Sequence, residues 1–332
     1  MTRRTPVRLG ATLIAITAAL ALAATGAAAQ GKKPWRHGII EAKSDSGILF
    51  MADKGGFAKK LGLDLEFVQV KTDQIGLKAL LAGELDSYEG GPGGAILAGA
   101  RGADVKIVGC HWLTVPHGIF VHDDIASVAA LKGKAIAVSS PGTMPEMLAR
   151  GALAKNGLSV SDVRFASLGG DLDRYKALLA RVVEAAVVSA EYTPIAAKEG
   201  IKLLVPGHEA LPEFLRVCLQ STGKTIAERP DDTARFLAAE MQALRYALAH
   251  KDETVRFARE LTGAKADDPR PGYIFDFAVK TAAVAPDLPL PLDRLGWLQD
   301  QLVANGSLAK ATDIARLVDG SPRAKALALV GN

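Results

Sequence analysis

The chain carries one short pattern twice, 98 residues apart, and few folds accommodate that. Residues 78–90 read KALLAGELDSYEG and residues 176–188 read KALLARVVEAAVV. Each is an apolar helix end, an acidic residue and a short apolar strand, and each runs into a loop. After the first copy Gly90, Gly91, Pro92, Gly93 and Gly94 lead into a new helix at 95–100. After the second comes Ser189-Ala190-Glu191-Tyr192-Thr193-Pro194. Gly83 is placed to end the first helix. Glycines at a strand-to-helix turn let the backbone approach a ligand and aim free N–H groups at it, although they also serve a plain tight turn. Two such units imply two similar lobes, each offering a loop to a shared cleft.

Strand-like and helical stretches alternate through the body of the chain. Strand patterns fall at 37–42, 63–70, 85–88, 105–110, 118–122, 135–139, 163–166, 185–188 and 202–205. Helical patterns fall at 46–61, 73–82, 127–132, 144–156, 172–182 and 194–199, the first with Ser44 or Ser46 as N-cap. Such alternation specifies an α/β fold with mainly parallel sheets covered by helices on both faces. From residue 231 the pattern turns helical, at 231–249, 252–261, 273–283, 292–304 and 312–317.

The first 29 residues read as an export signal. Arg3, Arg4 and Arg8 form a basic head, 9–24 is apolar, and Ala27-Ala28-Ala29 offers the small residues a signal peptidase reads. The run falls short of the roughly 20 apolar residues a membrane span needs. Cleavage near Ala29 leaves roughly 300 residues, room for about two domains, and sends them to the periplasm of a Gram-negative cell. The formal charge of +4 includes the three signal arginines, so the exported part stands at +1. With no basic block either, nucleic acid is excluded as a partner. An oxidising compartment permits a disulfide between Cys110 and Cys218, although sequence leaves open whether they lie within reach. Two isolated cysteines give no zinc spacing, and His117 and His208 stand in loops without ligand-spaced partners, so no metal is expected.

In open parallel sheets ligands sit at the carboxyl ends of strands. Three turns there are rich in small hydrogen-bonding residues: Ser44-Asp45-Ser46-Gly47, Glu89 with Gly90 to Gly94, and Ser139-Ser140-Pro141-Gly142-Thr143. The third is the best anion candidate, because the Ser139, Ser140 and Thr143 hydroxyls join the free N–H groups of a first helical turn. Plain N-capping is the alternative use of the same hydroxyls. Glu89, Gly90 and Gly91 form a second candidate cradle. Glu191 either accepts from ligand N–H groups or pairs with a rim lysine. Tyr192 either stacks on a planar ligand or closes the core. Trp112 either faces the cleft or serves the core, as large aromatics mostly do. No nucleophile elbow, zinc-protease helix or phosphate loop stands in the chain, so neither an enzyme nor a cofactor is indicated.

A run of motifs carries a family resemblance. Trp35-x-x-Gly38, Ala42-Lys43-Ser44-Asp45-Ser46, Ala52-Asp53-Lys54-Gly55-Gly56-Phe57, Leu61-Gly62-Leu63, Ala79-Leu80-Leu81-Ala82-Gly83-Glu84-Leu85-Asp86, Gly102-Ala103-Asp104-Val105-Lys106 and Leu131-Lys132-Gly133-Lys134 fall in order over about 35–261. The chain resembles the nitrate/sulfonate/taurine-type solute-binding proteins of ABC transporters, whose relatives bind thiamine pyrimidine precursors. The resemblance implies a type II periplasmic binding fold: two α/β lobes, a two-strand hinge and a helical C-terminal part. It places the crossings near 121–124 and 216–221, with one lobe at 33–121 plus 218–332 and the other at 122–217. It implies a monomer that captures a small anionic or planar polar ligand (sulfonate, carboxylate, nitrate-like or pyrimidine-like) by hinge closure and presents it to a membrane permease. An enzyme on the same fold, or a ligand-sensing partner of a signalling receptor, is the alternative. Two positions depart from the pattern. Arg181 stands where the family's second helix usually ends in glycine, and Tyr192 stands where many relatives carry proline.

Overall fold

The computed structural model describes residues 1–2, 33–140 and 143–331. The export signal expected at 1–29, and Pro141 and Gly142 of the third loop, lie outside the described residues save Met1 and Thr2.

Among the described residues ten strands form two sheets. They are β1 (Trp35–Ile40), β2 (Leu65–Val70), β3 (Ser87–Gly90), β4 (Lys106–Trp112), β5 (His117–His122), β6 (Ala135–Val138), β7 (Arg164–Ser167), β8 (Ala185–Ser189), β9 (Ile201–Pro206) and β10 (Val217–Ser221). The first sheet has the order β2-β1-β3-β10-β4 and the second β7-β6-β8-β5-β9. In each the first three strands are parallel and the fourth runs against its neighbours. The duplicated pattern is a real structural repeat. Helix Asp73–Leu81 feeds β3 and helix Asp171–Leu179 feeds β8, and both strands hold the middle of their sheets. Buried aliphatic strands such as Ala135–Val138 suit such a position, because helices cover both faces.

The crossings lie elsewhere than the sequence pattern suggests. β5 belongs to the second sheet, so the chain leaves the first lobe over 113–116 rather than 121–124. β10 lies wholly in the first sheet, so the return runs over 207–216. The apolar run Ile119, Phe120 and Val121 is fully buried and would bury equally well in either sheet, so its composition says nothing about which one it joins. The helix expected at 46–61 is three single turns, Ser46–Leu49, Met51–Lys54 and Phe57–Lys60. Gly55 and Gly56 interrupt it, Gly56 at a φ of 70°. Asp45, not Ser44 or Ser46, occupies the N-cap position, and Ser46 Oγ instead accepts from Lys43 N at 2.6 Å. The strand expected at 85–88 begins two residues later, which turns Glu89 and Gly90 from loop into strand. The helix at 312–317 shrinks to a 3₁₀ turn, Ile314–Leu317, and an unexpected helix, Ser321–Val330, packs on the long helix Pro230–Ala249. Arg181 sits at a φ of 54°, the left-handed backbone that glycine adopts freely, so the family's glycine would be unstrained there.

Two interactions hold the crossings. Cys110 and Cys218 pair across β4 and β10 and are joined by a disulfide, which encloses the whole second sheet in a loop of 108 residues. Arg294, from helix Leu292–Ala304, donates to four carbonyls: Glu213 at 2.9 Å, Pro212 at 3.0 Å, Phe214 at 2.9 Å and Leu113. One guanidinium thus ties the outgoing crossing to the returning one.

Reduction, or a Cys110→Ser/Cys218→Ser double variant, is expected to cost about 2–5 kcal/mol, because the bridge restrains a long loop of the unfolded chain. Guanidinium melts with and without reductant measure it. Arg294→Met is expected to cost about 2–4 kcal/mol by stranding several carbonyls, and Arg294→Lys to restore only part, since an ammonium is a point charge without the fork. Unchanged denaturation midpoints in both Arg294 variants would remove the staple from this account.

Candidate ligand-binding cleft

The loops after the parallel strands of the two sheets meet face to face. Lys43, beyond the end of β1, lies 4.0 Å from Asp171, beyond the end of β7. The Ser44 hydroxyl lies near Glu191, beyond the end of β8, and favours its ionised carboxylate. His117, at the start of β5, places Nε2 3.5 Å from Asp171 Oδ1. Arg174 donates to the same carboxylate and to the Val187 and Gly169 carbonyls. Arg216, at the end of the returning crossing, pairs with Asp45 and lies over the Trp112 ring at 4.5 Å. Helix Arg270–Lys280 packs on the Ala190–Tyr192 turn and brings Arg270 toward Glu191.

Charges here perturb one another. Burial alone would raise the Asp171 carboxyl, but His117, Arg174 and Lys43 hold it well below the usual range. Burial lowers His117 toward the neutral imidazole, against the pull of Asp171. Glu191 is pushed up, first by burial and then by Asp45 and Asp171, with the Ser44 hydroxyl offsetting part of the rise.

Each lobe uses one acid to fix its loop. Asp73, in the first turn of its helix, accepts Gly91 N–H at 3.2 Å and the Tyr88 hydroxyl at 2.6 Å. Asp171, in the matching turn of the second lobe, accepts Ser189 N–H at 3.2 Å. Both bonds span 18 residues, so the duplicated helix–strand unit repeats its hydrogen bonding as well as its path.

The model of the NMT1/THI5-like family matches residues 43–254. The chain belongs to the NMT1/THI5-like family. A Brucella abortus protein with a provisional binding-protein name is 34% identical over 131 residues, and the match covers 40% of each chain. Among solved structures, the periplasmic aliphatic sulphonate binding protein SsuA of Escherichia coli superposes with a TM-score of 0.72 at 19% identity, covering 86% of this chain and 92% of that one. The alkanesulfonate-binding SsuA of Xanthomonas axonopodis pv. citri, bound to MOPS, gives 0.66 at 21%, over 86% and 98%. The desulfurization enzyme DszB gives 0.69 at 16%, over 89% and 99%. These likenesses place the fold as that of the periplasmic binding proteins.

In this NMT1/THI5-like chain the residues singled out from sequence fall into two groups. Ser44 and Glu191 meet at the junction. Gly91 lies at the same edge, its N–H held by Asp73. Ser139 and Thr143 hydroxyls bond each other at 2.7 Å, and Thr143 donates to Ser140 O at 2.6 Å, so two of the three hydroxyls are engaged within their own loop. Ser46 and Trp112 are buried. Tyr192 is also buried and packs at a tilt against Tyr175, ring centroids 4.4 Å apart, and burial raises its phenol to about 12. Gly90 packs against Tyr88 and Asp73 with no room for a Cβ. Sequence reading passed over Asp171, Arg174 and Arg216, and weighed His117 only as a metal ligand. The available signal was Asp171, which repeats the position of Asp73 in the duplicated unit.

Glu89 lies inside the first lobe. It is 3% exposed and accepts from His111 Nε2 at 2.9 Å, with His37 Nε2 at 3.9 Å. Burial would raise it, yet His111 and His37 bring it down to about 2. Close to it Glu240 is buried, with Oε1 unpartnered among the described residues, and is held well above the carboxylate range by burial and by Glu89. The two acids therefore have opposite pH windows. Glu89 contributes stability above the unfolded carboxylate range, lost as pH falls toward 2. Glu240 keeps its proton on folding, so its contribution is present at low pH and lost as pH rises through its raised folded value. Relative to wild type, Glu240→Gln is expected to gain melting temperature steadily from about pH 5 to pH 8, while Glu89→Gln loses least near pH 3. Parallel curves for wild type and both variants would contradict these assignments.

Proposed function

We propose that the chain is the solute-binding component of an ABC importer, exported to the periplasm and handing a small anionic or planar polar organic ligand to a membrane permease. The observation that carries this reading is the convergence of charged loops from both lobes, Lys43 to Asp45 from one and Asp171 and Glu191 from the other, at the carboxyl ends of their strands. The names of the SsuA neighbours and of the Brucella relative point the same way. A ligand between these loops gains contacts from both lobes only when they are together, so it favours the closed arrangement, and a permease that recognises that arrangement takes up loaded protein. Ser44 and Glu191 are the proposed first contacts. DszB has this fold and is an enzyme; here both cysteines are joined in the disulfide, which leaves no thiol nucleophile.

The test is thermal unfolding of the purified protein against alkanesulfonates, taurine, nitrate, aromatic carboxylates and pyrimidines. A ligand at 100 times its Kd stabilises by about 2.7 kcal/mol, a rise of a few degrees for a chain of this size. The expected result is one class of hit, recovered chemically unchanged. A hit that is consumed would replace capture by catalysis.

A further inference from the structure

Both crossings carry buried hydrogen-bond donors with nothing to donate to. Trp112 Nε1, Thr114 Oγ1 and one terminal nitrogen of Arg216, Nη1, are buried and have no hydrogen-bond partner among the described residues. Trp112 ends β4 just before the outgoing crossing, Thr114 lies in that crossing two residues further on, and Arg216 ends the returning one. Trp112 and Arg216 are adjacent in space: Arg216 N–H donates to Trp112 O at 3.0 Å, and the guanidinium covers the indole at 4.5 Å. Asp45 engages the other terminal nitrogen of Arg216 and so fixes the plane of the fork. β10 pairs Cys218 with Gly90, which sets Arg216 beside the Gly91 loop, at the carboxyl end of β3.

Indole and guanidinium nitrogens only donate, so the group that satisfies them must accept. A guanidinium with one face fixed by a carboxylate and its second terminal nitrogen free matches a planar or tetrahedral oxyanion. We propose that Trp112, Thr114 and Arg216 form the anchor for the anionic head group of the ligand, a carboxylate or sulfonate, on the floor between the crossings. This rests on the capture reading and narrows it. The head group binds where the chain passes between lobes, and the rest of the ligand extends toward Ser44 and Glu191.

Calorimetric titration of the purified protein with benzoate, benzenesulfonate, benzamide and benzylamine tests the head group, since the ring is common to all four. The two anions bind, and the amide and amine bind about thirty-fold more weakly or not at all. Trp112→Phe keeps the ring under Arg216 and removes only the N–H, and it weakens both anions about ten-fold. Arg216→Gln weakens them about thirty-fold. Asp45→Asn/Arg216→Gln, which removes the ion pair together, gives the same loss, and its melting curve reports whether the fold is kept. Equal anion affinity in wild type and Trp112→Phe overturns the anchor. So does benzamide binding as tightly as benzoate, and so does the absence of binding by all four probes. A compound from the wider panel that binds wild type and all three variants alike would remove the anchor and leave capture standing. Failure of the anchor and failure of capture are therefore different results.

Discussion

Everything near the cleft follows from how an antiparallel strand must enter a parallel sheet. A chain arriving from the other lobe to run against β3 or β8 has to start where those strands end. β10 begins its pairing with β3 at Cys218 opposite Gly90, and β5 starts with His117 opposite Ser189. Both crossings therefore lie at the carboxyl edge of the sheets, the same edge on which the parallel strands deliver their loops. In this topology the connection between lobes and the floor of the cleft are one piece of chain. The disulfide and the Arg294 fork hold that piece from opposite sides, one across β4 and β10 and one across the two crossings. A register shift at either strand would move the crossing away from the loops and take the floor with it.

On this shared scaffold the lobes divide the chemistry unequally. Asp73 and Asp171 perform the same structural task, holding an N–H at the end of the central strand. Asp73 does so beside a neutral tyrosine hydroxyl. Asp171 is ringed by Arg174, His117 and Lys43 and is driven strongly toward its ionised form. Glu191, two residues past Ser189, is driven the other way by burial and by the acids around it. Of the two duplicated units, the second thus brings the polarised groups and the first brings glycine backbone, a division that their similar sequences do not reveal.

The sequence made the architecture legible because periodicity reports burial, and burial is what builds these sheets. The repeat at 78–90 and 176–188, the alternation and the long apolar helix at 231–249 all survive in three dimensions. What it hid depends on pairing, which composition does not encode. The 119–121 run is fully apolar and fits either sheet, so the crossing was misplaced. Glu89 reads as a loop acid because ionised groups are rarely buried alone, and the partners that permit it, His37 and His111, stand 52 and 22 residues away in the chain. Arg216 reads as one more surface arginine until Trp112 and Asp45 are brought to it from distant segments. Sites made of residues from both lobes are illegible in sequence for the same reason that they suit a binding protein: no single segment holds them.

The placement of rigidity bears on how such a molecule can move. The disulfide fixes β4 to β10 two residues before the outgoing crossing and two after Arg216, so the first sheet resists shear at its edge. Arg294 fixes Leu113 to the 212–214 carbonyls, so the two crossings are bound to each other on the first-lobe side. Freedom is left to the residues beyond these ties, 114–116 on one path and 207–211 on the other. Rotation about that line carries His117, Asp171 and Glu191 toward or away from Lys43, Ser44 and Asp45, while Trp112 and Arg216 stay with the first sheet. On the capture reading proposed above, a ligand group held on the floor sits close to the axis and moves little during closure. Groups reaching Glu191 lie farther out, where a small rotation makes or breaks a contact. That reading assigns affinity from the floor and selectivity for the closed form to different ends of the same ligand.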